Sequence, residues 1–71
     1  MAMAAEEDAL LIANAIGTLP EDHQRVIIAR HFESRSFEQI ADQMGKSSGA
    51  VRMIWLRAIR KLRQLLKEGP P

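Results

Sequence analysis

The chain contains no cysteine, which excludes a disulfide scaffold and a thiolate zinc site together. No apolar run approaches the roughly 20 residues that a membrane-spanning helix needs. The N-terminus lacks the basic, apolar and cleavable segments of a secretory signal. These absences point to the cytoplasm and away from a membrane. β-branched residues do not alternate with polar ones long enough to suggest a strand. There is no Gly-rich phosphate loop, no nucleophile motif and no zinc-protease motif. His23 and His31 stand eight residues apart, with no acidic or thiol partner at ligand spacing, so neither a metal nor another cofactor is expected. Asp22, Glu33, Glu38 and Asp42 read as surface carboxylates, since nothing suggests a pocket around them. No catalytic residue is found, and an enzyme is not expected from so small a core.

What is present suits one small folded domain. Hydrophobic residues make up 46% of the 71 positions and charged residues 27%, a globular rather than a disordered balance. A chain of this length buries only about 60% of its unfolded surface, so its core must be compact and built from local contacts. The net charge of +1 conceals a division. Residues 1–45 carry Arg25, Arg30 and Arg35 against eight acidic residues, a balance of −5. Residues 46–71 carry Lys46, Arg52, Arg57, Arg60, Lys61, Arg63 and Lys67 against Glu68 alone, a balance of +6. Such segregation reads either as an electrostatic footprint for phosphates or as a solvated helix face.

The apolar spacing predicts four helices. The first runs from about Ala5 to Ile16, with Glu6, Glu7 and Asp8 in its first turn and Gly17 as its stop. Thr18 and Glu21 have capping-box spacing, and Pro20 suits the first position of a second helix. That helix carries Val26-Ile27-Ile28-Ala29 and then Phe32. Four consecutive apolar residues cover more than half of a helix circumference, so one side faces the core. The other side faces a partner or is closed over by the first helix. Ser36 and Gln39 form a second capping box, opening a short helix whose Phe37, Ile40, Ala41 and Met44 share one face. Gly45 ends it where a left-handed residue is cheapest. Ser47 or Ser48 then caps a long helix to about Lys67, with Val51, Trp55, Ala58, Leu62 and Leu65 in one seam. Gly69-Pro70-Pro71 terminates it.

A short helix, a Gly-containing turn and a longer helix make a helix-turn-helix. Ala41 lets the second helix approach, Gly45 permits the turn, and Val51 packs back into the angle. His31 is expected in an aromatic-like packing position. Residues 52, 53, 56, 57 and 60 fall on one stripe of the last helix, opposite the Val51, Trp55 and Leu62 seam. Arginine on such a stripe suits bidentate contact with guanine, and a helix N-terminus suits a phosphate.

Leu19-Pro20-Glu21, Phe32-Glu33, Ser36-Phe37-Glu38-Gln39-Ile40-Ala41, Ser47-Ser48-Gly49-Ala50-Val51-Arg52, Arg57-Ala58 and Leu62-Arg63 together resemble region 4 of the sigma-70 family. The extracytoplasmic-function (group IV) type matches best, over about residues 6–67. The resemblance implies an all-α, four-helix domain with a C-terminal helix-turn-helix and no wing. It implies promoter recognition in bacterial transcription initiation, with the recognition helix in the major groove of the −35 element. Arg52, Met53, Leu56 and Arg57 would contact bases. Lys46, Ser47, Ser48, Gly49, Arg60 and Lys61 would contact phosphates. The partners implied are double-stranded promoter DNA and the beta flap of core RNA polymerase, with Ile27 and Ile28 as docking residues. An anti-sigma factor is a further partner that the resemblance allows, and a monomer is expected in isolation.

The sequence departs from the family pattern in places. Gln24 stands where Arg is common, Ala29 where Leu is common, Ser34 for a usual Gly and Arg35 for an apolar residue. Met53-Ile54-Trp55 is bulkier than usual, which would put Ile54 at the edge of the DNA-facing surface. Residues 6–68 read as the domain and 69–71 as a C-terminal tail. Residues 1–5 read as an N-terminal tail and a candidate for sequence added to the natural chain. Region 2 of the family has no counterpart here, so a longer factor with this domain at its C-terminus is expected. Two other readings stand beside this one: a LuxR-type response-regulator output domain, and a helical protein-interaction module that binds no DNA.

Overall fold

The computed structural model of the chain describes the backbone of residues 2–68 and the side chains of residues 10–67. Among the described residues the secondary structure is wholly helical: α1 (Ala2–Gly17), α2 (Glu21–Ile27), α3 (Phe37–Met44) and α4 (Ser48–Glu68). Between α2 and α3 a π turn, Ile28–Phe32, continues the second helix. The expected all-α class with a helix-turn-helix is the observed one. Gly69-Pro70-Pro71, read as the terminator of α4, lies outside the described residues.

α1 begins earlier than the expected start near Ala5. Its opening residues are alanine and methionine, which favour the helix and offer no stop. Glu6, Glu7 and Asp8 therefore fall beyond the first turn, where the helix dipole acts less on them. The expected Thr18–Glu21 capping box does not form. The Thr18 hydroxyl instead donates back to the Ala15 carbonyl at 2.7 Å, closing the end of α1. Pro20 is itself the N-cap of α2, with extended backbone (φ −54°, ψ 152°) and no side-chain hydrogen bond. Gln24 does the connecting work: its amide donates to the carbonyls of Leu19 (2.7 Å) and Gly17 (3.3 Å), tying the first turn of α2 to the loop before it.

The π turn is the feature that apolar spacing does not reveal. The Glu33 N–H donates to the Ile28 carbonyl at 3.1 Å, five residues back, and the Arg35 N–H donates to the Ala29 carbonyl at 3.0 Å. The second bond closes the helix end with one residue more than an ordinary Schellman motif contains. The closure requires a left-handed residue, and Ser34 takes that conformation at φ 55°. This is the position at which the family usually has glycine, and serine adopts it at a steric cost.

α3 starts as its sequence predicts. Ser36 Oγ accepts from the Gln39 N–H at 3.1 Å while the Gln39 side chain accepts from the Ser36 N–H at 2.9 Å. Gly45 ends α3 in the left-handed region (φ 66°). Ser47, rather than Ser48, then caps α4 by accepting from the Ala50 N–H at 3.1 Å.

The core lies in two clusters, one after the other along the buried side of α4. One joins Val26 and Ala29 to Ile40, Ala41 and Val51, and fills the angle of the helix-turn-helix. The other joins Ile16 and Leu19 to Ile27 and Ala58, and fastens α1 to the far half of α4. The run Val26–Ala29 is thus divided: Val26 and Ala29 face one cluster and Ile27 the other, while Ile28 remains 40% exposed. Ile54, next to the buried seam, is half-buried against the first cluster rather than standing on the open face of α4. Leu62 and Leu65 continue the seam into the second cluster, with Ile59 added to them.

Trp55 borders both clusters. Its indole N–H donates to His31 Nε2 at 3.0 Å, and the two rings stack with centroids 5.9 Å apart. His31 Nε2 must therefore be the unprotonated nitrogen, and the π turn is what brings it there.

Two measurements follow. Ser34→Gly relieves the left-handed backbone and is expected to raise unfolding stability by about 0.5–1 kcal/mol in urea melts, whereas Ser34→Val should lower it. Trp55→Phe and His31→Ala, combined in a double-mutant cycle, are expected to show a coupling of about 0.5–1.5 kcal/mol; additivity would mean that the bond adds nothing.

Candidate nucleic-acid interface

The buried seam of α4 dictates what its opposite side presents. With Val51 and Ala58 at zero exposure, residues about half a turn away must face solvent. Arg52, Met53, Leu56, Arg57 and Arg60 do so, all on one stripe, with Met53 50% and Leu56 43% exposed. Lys61 and Arg63 are exposed beside it. Among the described residues the one ion pair joins Arg35 to Glu33 at 3.1 Å, so no described carboxylate pairs with a cation of α4. The stripe is positive and interleaved with two apolar side chains.

The N-terminal end of α4 carries the other expected residues. Lys46, Ser47, Ser48 and Gly49 are all exposed. The Ser47 oxygen is engaged in capping, which leaves its O–H as a donor. A Cβ built on Gly49 would meet no atom within 4 Å, so the backbone here lies open to close approach. Lys46 and Ser48 also line a shallow cleft of about 310 Å³ together with Glu38 and Asp42, so the charge at that corner is mixed. The exposed stripe and the helix-end residues lie along α4 and the turn that precedes it.

One expectation about the surface needs correction. Ile27 is 2% exposed and locked between Ile16, Leu19 and Ala58, so it cannot be a docking residue. Ile28 is open, and it joins Phe32, which is 67% exposed, along an apolar groove. The groove has a volume of about 490 Å³ and is lined by Ile12, Ala13, Ile16, Gly17, Gln24, Ile28 and Phe32. Phe32 was expected as part of the apolar run, but its exposure depends on the π turn, which no spacing rule signals.

Sequence reasoning also missed the surroundings of Arg52. Its guanidinium carbon lies 5.2 Å from the centroid of the Phe37 ring, and that of Arg30 lies 4.9 Å from the same centroid. Residues so far apart in the chain carry no joint sequence signal. Among the described residues no three His, Asp or Glu side chains are grouped to hold a metal ion, and no helix is long and apolar enough to cross a membrane.

A helix-turn-helix with a positive outer stripe is common to several families, and the comparison with known proteins separates them. Residues 15–64 match the family described as sigma-70, region 4. The chain belongs to the sigma-70 family. Region 4 is a non-enzymatic, DNA-binding part of transcription initiation factors, and the match sets aside the LuxR-type alternative. The chain is 38% identical over 61 residues, 86% of its length, to ECF RNA polymerase sigma factor SigL of Mycobacterium tuberculosis. It is 33% identical over 60 residues, 84% of its length, to RNA polymerase sigma-E factor of Streptomyces antibioticus. It spans about a third of the length of each of these curated relatives (34% and 33%). Both are similar to this region 4 in the extracytoplasmic-function manner that its motifs suggest.

Gly49 offers a separate check on the local reading. Because a methyl group there meets open space in the first turn of α4, Gly49→Ala is expected to stabilise the domain by about 0.5–1 kcal/mol in thermal or urea unfolding. A loss of stability would mean that the backbone at this position is not ordinary helix.

Proposed function

We propose that this region 4 recognises promoter DNA during transcription initiation, with α4 as the recognition helix in the major groove of a −35 element. The observation that carries this reading is the stripe Arg52, Met53, Leu56, Arg57 and Arg60, exposed and, among the described residues, without carboxylate partners on a helix held by the helix-turn-helix. Arg52 and Arg57 suit bidentate contact with guanine O6 and N7, worth about 1–3 kcal/mol of discrimination each. Met53 and Leu56 provide apolar contact for thymine methyl groups. Lys46, Ser47, Ser48 and the open backbone at Gly49 hold a phosphate at the helix N-terminus, and Arg60 and Lys61 contact the strand further along. The domain that performs this spans about residues 6–68, acting with double-stranded DNA and, as part of a sigma factor, in the cytoplasm.

Docking on the beta flap of RNA polymerase falls to Ile28 and Phe32 in this reading. They are the apolar side chains that α1 leaves uncovered, and their groove lies away from the α4 stripe, so DNA and polymerase do not compete for one surface. An anti-sigma factor would have to cover one or other of these faces.

Two experiments test the two halves. Binding to a duplex selected from a random pool, followed by fluorescence anisotropy, is expected to give a log–log salt slope of about −3 to −4, as for neutralising about four phosphates. Arg57→Ala should relax preference at one base pair, at a cost of about 1–3 kcal/mol, rather than weaken all sequences equally. A flat salt dependence would sink the DNA reading and leave the protein-interaction module. Capture of a beta-flap fragment should be lost in Ile28→Glu/Phe32→Glu while DNA binding persists; retention of capture would remove the groove from the docking surface.

A further inference from the structure

Phe37 sits where three elements meet. It opens α3, packs half-buried against the cluster of Val26, Ile40 and Val51, and meets Trp55 in a T-shaped pair with ring centroids 5.7 Å apart at 68°. The remaining parts of its ring serve two cations. Arg30 from the π turn and Arg52 from α4 place their guanidinium carbons 4.9 Å and 5.2 Å from its centroid.

Two like charges sharing one ring repel each other, and each long side chain loses rotamer freedom when held. The negative face of the phenyl ring offsets part of both costs. Arg30 is held further by donating to the Arg35 carbonyl at 3.3 Å. No carboxylate pairs with either arginine among the described residues; Glu33, the nearest acid along the turn, is engaged with Arg35. Both arginines are exposed. What this arrangement lacks is an anion. The stack adjoins the α4 stripe through Arg52, so the anion in reach of it is the one that the DNA strand supplies.

We infer that Arg30, Phe37 and Arg52 form a preassembled clamp on the DNA, in which Arg30 contacts a phosphodiester, Arg52 reaches the base it reads and Phe37 is the positioning residue for both guanidiniums. The inference rests on the DNA-binding reading above and extends it from α4 to the π turn. The phenyl ring has no polar group of its own to offer a phosphate, so its contribution is to aim the two cations. It does so because the π turn and α4 converge on the first residue of α3.

The clamp is tested on the 71-residue chain with the pool-selected duplex and its single-base variants, by anisotropy over a range of salt. Arg30→Met keeps the stem and removes the charge; the salt slope is expected to shrink by about 0.9, the value of one phosphate contact, with base preference unchanged. Phe37→Leu is expected to shrink the slope by a similar amount and also to relax preference at the base pair read by Arg52. Phe37→Tyr should restore both. If Phe37→Leu fails to fold by circular dichroism, Arg30→Met alone decides. Wild-type slope and preference in Arg30→Met, with the unaltered chain binding DNA normally, would overturn the clamp and leave the recognition reading standing. Absence of salt-dependent binding by the unaltered chain would overturn both.

Discussion

The whole arrangement depends on one side of α4 being shared between two cores. A 21-residue helix is about 30 Å long, more than a single small cluster can cover. Val51 fills the angle made with α3, Ala58 lies against α1 and α2, and Trp55 spans the gap between them. The indole is large enough to touch both clusters but brings an N–H that must be satisfied at the core edge. His31 accepts it, and the π turn supplies His31. Loss of that contact would loosen the second helix and α4 together, since Phe37 also leans on the same indole.

From this constraint the functional surface follows by exclusion. Once the seam is buried on both cores, the opposite side of α4 has nothing in the domain to pack against. Among the described residues its arginines pair with no acid, in keeping with acidic residues that lie mostly in the first part of the chain. Burying such a stripe would be expensive, and leaving it open gives a field suited to a polyanion. The same packing leaves a second opening on the other flank, where Ile28 and Phe32 stand beside α1 without a cover. Charge and hydrophobicity are thereby separated onto different faces of an 8.0 kDa domain, which suits binding DNA and a protein at once.

Local signals read well wherever one short stretch contains all of its causes. The Ser36–Gln39 capping box, the left-handed Gly45 and the Val51-to-Leu65 seam each depend on residues a few positions apart, and each is found as expected. Thr18 failed as a cap because α2 starts with Pro20 as its own N-cap, which leaves Thr18 two residues outside the helix, its hydroxyl donating to the end of α1. Ser34 was legible only as a departure from the usual glycine, and its positive φ explains why glycine is usual there. Ile27 was misplaced because a run of four apolar residues does not say which of them the neighbouring helices will cover.

The sequence by itself determined the helical class, the helix-turn-helix, the basic stripe on the last helix and the family, because these rest on spacing, capping and composition within single segments. The tertiary structure alone decided that the second helix ends in a π turn, that Ile28 rather than Ile27 is open, and that Ile54 is half-buried against the first cluster. It also decided that Arg30 and Arg52 meet on Phe37. Those outcomes depend on how α1, α3 and α4 compete for the surface of the second helix. That competition involves side chains far apart in the chain, whose contacts no periodicity within one segment encodes.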